Sequence, residues 1–79
     1  MYWGVASLYH EILKRLRVKK EVTQHQLADV LGRPQSFVSK YESGERRLDV
    51  LEFIQVCKAL DEPPSDVIQL IEKGSKRGI

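Results

Sequence analysis

An all-α fold of five short helices is predicted by three features of the sequence. Apolar residues recur at three- and four-residue spacing in five separate stretches. None of these stretches shows the two-residue alternation of a half-buried strand, and residues with capping or helix-breaking chemistry stand at their ends. Seventy-nine residues support one domain, residues 1–79, with a small core. Three prolines, five glycines and 42% apolar residues argue against disorder. No apolar run approaches the ~18 residues of a membrane span. The opening MYWGVASLYHEILKRLR lacks a basic segment followed by an apolar one, so no secretory signal is expected. The single Cys57 falls on an apolar helical face and reads as a buried thiol in a reducing cytoplasm, not as a redox sensor or an intermolecular bridge.

The first helix is expected from about Ser7 to Lys20, with Leu8, Ile12, Leu13 and Leu16 as its apolar stripe. Lysines and arginines gather at its C-terminal end, where the macrodipole favours them. Thr23 opens the second helix, and Gln26 three residues on completes a capping box, each side chain satisfying an orphan backbone N–H. Leu27, Ala28 and Leu31 face inward, and Gly32 supplies the left-handed residue that ends the helix. Pro34 stands near the start of the third helix, where a missing N–H costs nothing, and Val38 and Tyr41 give that helix its inward face. The fourth starts with Asp49 as N-cap and Glu52 at the third position, with Val50, Phe53, Ile54, Cys57 and Leu60 as its apolar face. The fifth opens after Pro63, carries Val67, Ile68, Leu70 and Ile71, and is expected to end at Gly74, leaving 74–79 as a frayed tail. Residues 23–43 therefore read as two short helices joined by a tight turn, a helix-turn-helix, the second fitted to a DNA major groove.

From about Leu13 to Ile71 the chain resembles the Cro/cI (XRE, lambda-repressor-like) family of bacterial and phage regulators. The family's LxxLRxxxxxTQxxLA opening is met by Leu13, Leu16, Arg17, Thr23, Gln24, Leu27 and Ala28. Its sxxsxxExG close is met by Ser36, Ser39, Glu42 and Gly44, and its "kAL" tail by Lys58, Ala59 and Leu60. Three positions depart from the pattern: Leu48 where proline is frequent, Asp61 where glycine is usual, and Pro34, which crowds the start of the recognition helix. The resemblance implies a five-helix lambda-repressor-like DNA-binding domain, a phosphate contact from Gln24, and an ion pair between Arg17 and Glu42 that braces the first helix against the recognition helix.

Charge is placed accordingly. The net charge is +2, but residues 1–48 carry an excess of four positive charges and residues 49–79 an excess of two negative ones. Gln35 and Ser36 occupy the N-terminal turn of the recognition helix, the part that meets base edges, and Ser39 and Lys40 share its outward side. Gln24, in the first turn of the second helix, can join the free N–H groups there on a phosphate. Arg33, Ser43, Arg46 and Arg47 are candidate phosphate contacts, supplying affinity and salt dependence without sequence information. Phe37 lies off the inward stripe and either packs on the second helix or touches a thymine methyl.

Metal and catalytic chemistry find no support. His25 and Asp29 are i, i+4, but nothing supplies further ligands, and no nucleophile set or phosphate loop is visible, so no cofactor, small-molecule effector or enzymatic activity is expected. One recognition helix reads only a few base pairs, so a homodimer on a pseudo-palindromic operator is expected. Val67, Ile68, Leu70 and Ile71 span more of the fifth helix than one core face needs and are the candidate dimer surface; the alternative is that Tyr2, Trp3 and Val5 fold back over it. The leading reading is a cytoplasmic, nucleoid-associated regulator of double-stranded DNA, most simply a repressor. The rival is an antitoxin or protein-interaction module of a toxin–antitoxin or phage system.

Overall fold

The computed structural model describes the backbone of residues 3–78 and the side chains of residues 9–73. Five helices follow in chain order: α1 (Trp3–Lys19), α2 (Gln24–Leu31), α3 (Gln35–Glu42), α4 (Val50–Ala59) and α5 (Pro64–Gly78), with no strand among the described residues. α1 packs against α5 and α3, while α2 packs against α3 and α4, so the third helix is supported from two sides.

Local chemistry sets the helix ends. Thr23 Oγ1 accepts the Gln26 N–H at 3.0 Å while Gln26 Oε1 accepts the Thr23 N–H at 2.9 Å. Asp49 and Glu52 repeat the arrangement at α4, at 2.8 and 3.0 Å. Such caps contribute about 0.5–2 kcal/mol each. Gly32 ends α2 at φ 68°, its N–H returned to the carbonyls of Ala28 and Asp29. Pro34 is the N-cap of α3, one place earlier than the first helical position, and makes no side-chain cap. Asp61 adopts φ 59° after α4, so the backbone turn for which glycine is usual is kept with an aspartate.

Leu13, Leu27, Val38, Tyr41, Val56, Cys57, Leu60 and Val67 are fully buried where the helices meet. Each of the leucines and valines among them contributes roughly 1.5–3 kcal/mol of apolar burial. Burial pushes the Cys57 thiol up to about 11, with the nearby Glu62 carboxylate adding to the shift. No helix among the described residues is long and apolar enough to cross a membrane.

Four expectations are corrected. α1 begins at Trp3, ahead of Ser7, and α5 continues through Gly74 to Gly78. A lone glycine inside a helix costs only about 1 kcal/mol and need not end it. Val50 is 74% exposed at the open end of α4, and Val56 takes its place in the core. Val67 is fully buried and therefore unavailable to a partner, and Ile71 also packs on the core, leaving Ile68 and Leu70 exposed on α5. The side chains of Tyr2, Trp3, Val5 and Leu8 lie outside the described residues.

Tyr41 is the largest fully buried side chain, its ring edge-on to Phe37 at 5.8 Å. Its hydroxyl is buried with no hydrogen-bond partner among the described residues, and burial, then the charge of Glu42, pushes its pKa far up. Removing an unsatisfied hydroxyl relieves a desolvation cost of about 1–3 kcal/mol while the ring contacts stay. Tyr41→Phe is expected to be as stable as the parent or more so in urea denaturation; a clear loss would show that the hydroxyl is satisfied in solution.

Candidate nucleic-acid interface

α2, its Gly32 turn and α3 form a helix-turn-helix whose outer side carries the polar residues expected to meet DNA. Gln35, Ser36 and Lys40 are exposed on α3, and Ser39 is half-buried. Ser39 Oγ donates to the Ser36 carbonyl at 3.2 Å, so only its acceptor lone pairs are left for a base. Phe37 is buried, its ring edge-on to Tyr41 and covered by the Arg33 and Arg46 guanidiniums, so it packs within the protein.

Beneath this face lies a charge pair. Arg17 Nε and Nη2 donate to Glu42 Oε2 and Oε1 at 2.7 and 3.1 Å, and Arg17 Nη1 donates to the Val22 carbonyl at 2.7 Å. Their side chains are only 10% and 3% exposed, so the charges are held away from water. The same Glu42 Oε1 accepts Gln24 Nε2 at 2.9 Å. Gln24 Oε1 in turn lies 3.4 Å from Gln35 Nε2, a long contact joining α2 to the first turn of the reading helix. Gln24 is thus directed toward Glu42 and Gln35, where the sequence suggested only an outward phosphate contact.

The arginines around the turn are also tied down. Arg46 Nη1 and Nη2 reach Glu52 Oε1 and Oε2 at 3.0 and 2.9 Å, and Arg33 Nη2 reaches the same Oε2 at 3.4 Å. Both guanidiniums stack on the Phe37 ring, 4.6 and 4.7 Å from its centre. Arg46, first through its hydrogen bonds, and then the Asp49 N–H hold the Glu52 carboxyl well below the usual carboxylate range, down to about 2. Sequence reading took Glu52 only as a capping residue, because its partners lie across a loop and a turn where no periodicity points. Ser43 Oγ donates to the Lys40 carbonyl at 3.0 Å and finishes α3, while Arg47 is exposed in the loop.

Two neighbours on α1 hold that loop. His10 Nδ1 donates to the Glu42 carbonyl at 3.0 Å, and Tyr9 Oη accepts the Leu48 N–H at 2.9 Å. Gly44 turns at φ 84° against the His10 ring, where a Cβ would meet Nε2 at 3.2 Å. On the far side of Tyr9 an apolar groove runs between α4 and α5, lined by Leu48, Val50, Phe53, Ile68 and Ile71. The His25–Asp29 contact, at 3.7 Å and largely exposed, is a solvated helix-surface pair. No group of three or more metal-ligating side chains occurs among the described residues.

A helix-turn-helix family model, HTH_3, matches residues 13–67, spanning α2, the turn and α3 with the helices that support them. The chain belongs to the XRE-type helix-turn-helix family. This is a family of DNA-binding transcriptional regulators, which are not enzymes. Among solved structures, an XRE-family like protein from Pseudomonas syringae pv. tomato str. DC3000 is 40% identical, with 87% of this chain and 84% of that one covered and a TM-score of 0.83. The restriction-modification controller protein C.AhdI from Aeromonas hydrophila is 27% identical over 80% of this chain and 94% of its own, with a TM-score of 0.71. The clp gene regulator ClgR from Corynebacterium glutamicum shares the fold at 22% identity, covering 94% and 79% of the two chains with a TM-score of 0.83. A search of curated protein sequences returns no match.

Two outcomes follow from the XRE-type site. Arg17→Met leaves Glu42 buried without its charge partner and is expected to cost about 3–5 kcal/mol in urea denaturation; a loss below about 1 kcal/mol would mean that water reaches the pair. Glu52 has a folded pKa of about 2, below its ordinary value of 4.5. Its stabilising contribution is therefore complete above that ordinary value and lost as pH falls toward the folded one. Thermal melts should fall through this acid window, and Glu52→Gln should flatten the fall; parallel curves would remove Glu52 as its source.

Proposed function

We propose that this XRE-type chain is a repressor that binds a pseudo-palindromic DNA operator as a homodimer. The observation that carries the reading is the linkage from the buried Arg17–Glu42 pair through Gln24 to Gln35. Its last step, a long 3.4 Å contact, tethers Gln35 in the first turn of α3, where an amide side chain is suited to reading adenine. Gln35, Ser36 and Lys40 read bases, and Ser39 accepts from them. Gln24, Arg33, Ser43, Arg46 and Arg47 lie along the phosphates, with Gln24 sharing its amide between Glu42 and the backbone. The likeness to the C.AhdI controller protein supports a small regulator of this class.

The homodimer is assigned to the apolar groove between α4 and α5. Ile68 is the member of the expected helix-five surface that both lines this groove and remains exposed, and Val50, 74% exposed, meets it from the start of α4. With Leu48, Phe53 and Ile71 completing the wall, the groove is a continuous apolar surface and not a scatter of isolated residues. A second copy, related by two-fold symmetry, covers the groove and sets two recognition helices about one helical turn of DNA apart.

Selection of bound sites from a random duplex library at fixed salt is the decisive experiment. The expected result is an enriched palindrome; binding that tracks charge alone with nothing enriched would end the regulator reading. Gln35→Ala and Lys40→Ala should each cost about 1–3 kcal/mol and relax different base positions. Ile68→Glu should yield a folded monomer in sedimentation, with the half-site still bound weakly. A dimer that survives this change would move the interface elsewhere.

A further inference from the structure

A carboxylate close to a DNA-facing surface repels phosphates, so Glu52 stands out. It is 8% exposed, sits at the third position of α4, and gathers two cations that belong to separate segments. Arg33 comes from the turn before α3 and Arg46 from the loop after it, so the two bracket the reading helix. One carboxylate and one aromatic ring hold both: each guanidinium bonds to Glu52 and stacks on Phe37.

We propose that Glu52 is a positioning residue for DNA binding, holding Arg33 and Arg46 on Phe37 as one preformed double-guanidinium clamp for the phosphates beside α3. The inference deepens the DNA-reading function proposed above and rests on it. A guanidinium has five N–H groups in a rigid fork. Arg46 uses three of these hydrogen bonds, two to Glu52 and one to the Arg47 carbonyl, and Arg33 uses one. Both side chains keep about two fifths of their surface in solvent, so the unused N–H groups remain within reach of a ligand. Two arginines meet the one Glu52 carboxylate directly, with the Asp49 carboxylate set behind it on the Glu52 N–H. Each side chain is already ordered, so the loss of rotamer freedom that ordinarily opposes phosphate binding by a long flexible cation is incurred on folding. The Asp49 N–H fixes the carboxylate itself, and Glu52 returns the bond through its own N–H, so the clamp is anchored in the capping box of α4. Glu52 stays ionised far below neutral pH, which keeps the clamp assembled across the physiological range.

Positioning and simple electrostatics predict opposite signs. Removing a negative charge near DNA should tighten binding if charge alone matters, and weaken it if the carboxylate positions the arginines. Glu52→Gln keeps the shape and the cap but loses the charge, whereas Glu52→Asp keeps the charge but loses the reach. Affinity for the selected duplex would be measured across a salt series, with the folded fraction of each variant taken from its thermal melt. Both variants are expected to bind several-fold more weakly, with the slope of log affinity against log salt shallower by about one, as for the loss of one phosphate contact. Glu52→Gln binding as tightly as the parent or more so, or slopes unchanged in both variants once corrected for folded fraction, would overturn the proposal. If Glu52→Gln does not fold, Glu52→Asp decides by the same slope; if neither folds, Phe37→Leu, which removes the shared ring and leaves both charges and the cap, decides by the same slope. A parent protein that binds no duplex would defeat the DNA-reading function itself, an outcome separable from parent binding that is insensitive at position 52.

Discussion

A guanidinium and a carboxylate face each other beside a small core, ten buried apolar side chains among the described residues, and the arrangement of the helix-turn-helix depends on them. Arg17 comes from α1 and Glu42 from the end of α3; their double hydrogen bond at 2.7 and 3.1 Å fixes the reading helix against the longest helix of the fold. Desolvation offsets most of the attraction in such a pair, so its net contribution to stability is small. Its effect is on uniqueness. With both charges removed from water, a packing that separates them is strongly disfavoured, and α3 has one favourable place to lie. The remaining hydrogen-bonding capacity extends the constraint: Val22 O takes one Arg17 N–H, and Gln24 shares a Glu42 oxygen. The start of α2 is thereby fixed to the end of α3 through side chains alone.

A second charged cluster does for the flanks what the first does for the helix. Arg33 and Arg46 meet on Phe37 through Glu52, drawing the turn before α3 and the loop after it toward the first turn of α4. His10 and Tyr9 complete the frame from α1 by holding the Glu42 carbonyl and the Leu48 N–H. The reading helix is eight residues long, too short to be stable alone in water. Its order comes from these tethers and from Val38 and Tyr41 in the core. The exposed side of α3 is consequently free to carry polar residues that the core does not require.

The fold was legible in the sequence wherever local chemistry decides structure. Thr23 with Gln26, Asp49 with Glu52, and Gly32 mark helix ends through bonds that span at most four residues, and the structure places them as read. The Arg17–Glu42 pair was accessible through the resemblance to the XRE family, since twenty-five residues separate its partners and no spacing rule connects them. What the sequence hid was tertiary. Val50 and Val67 both sit on apolar helical faces, and only the tertiary packing of the helices, with α5 seated on α1 and α4, decides that the first meets solvent while the second is enclosed. Glu52 satisfies a capping rule so well that its second role, toward two arginines brought together by the turn and the loop, leaves no further sign. At the candidate interface, residue types were legible, but the inward attachment of Gln24, Arg33 and Arg46 was not, because each finds a partner from another element.

Cys57 carries a different kind of consequence. Fully enclosed, with its thiol raised to about 11, it is scarcely ionised at neutral pH and offers no surface to a reagent. As the only cysteine in the chain, it makes the molecule its own stopwatch. A thiol-directed label enters no faster than α4 comes away from its neighbours. In a population of intact molecules, the labelling rate therefore counts the rare openings of the core, residue by residue identical in chemistry to the unmodified protein.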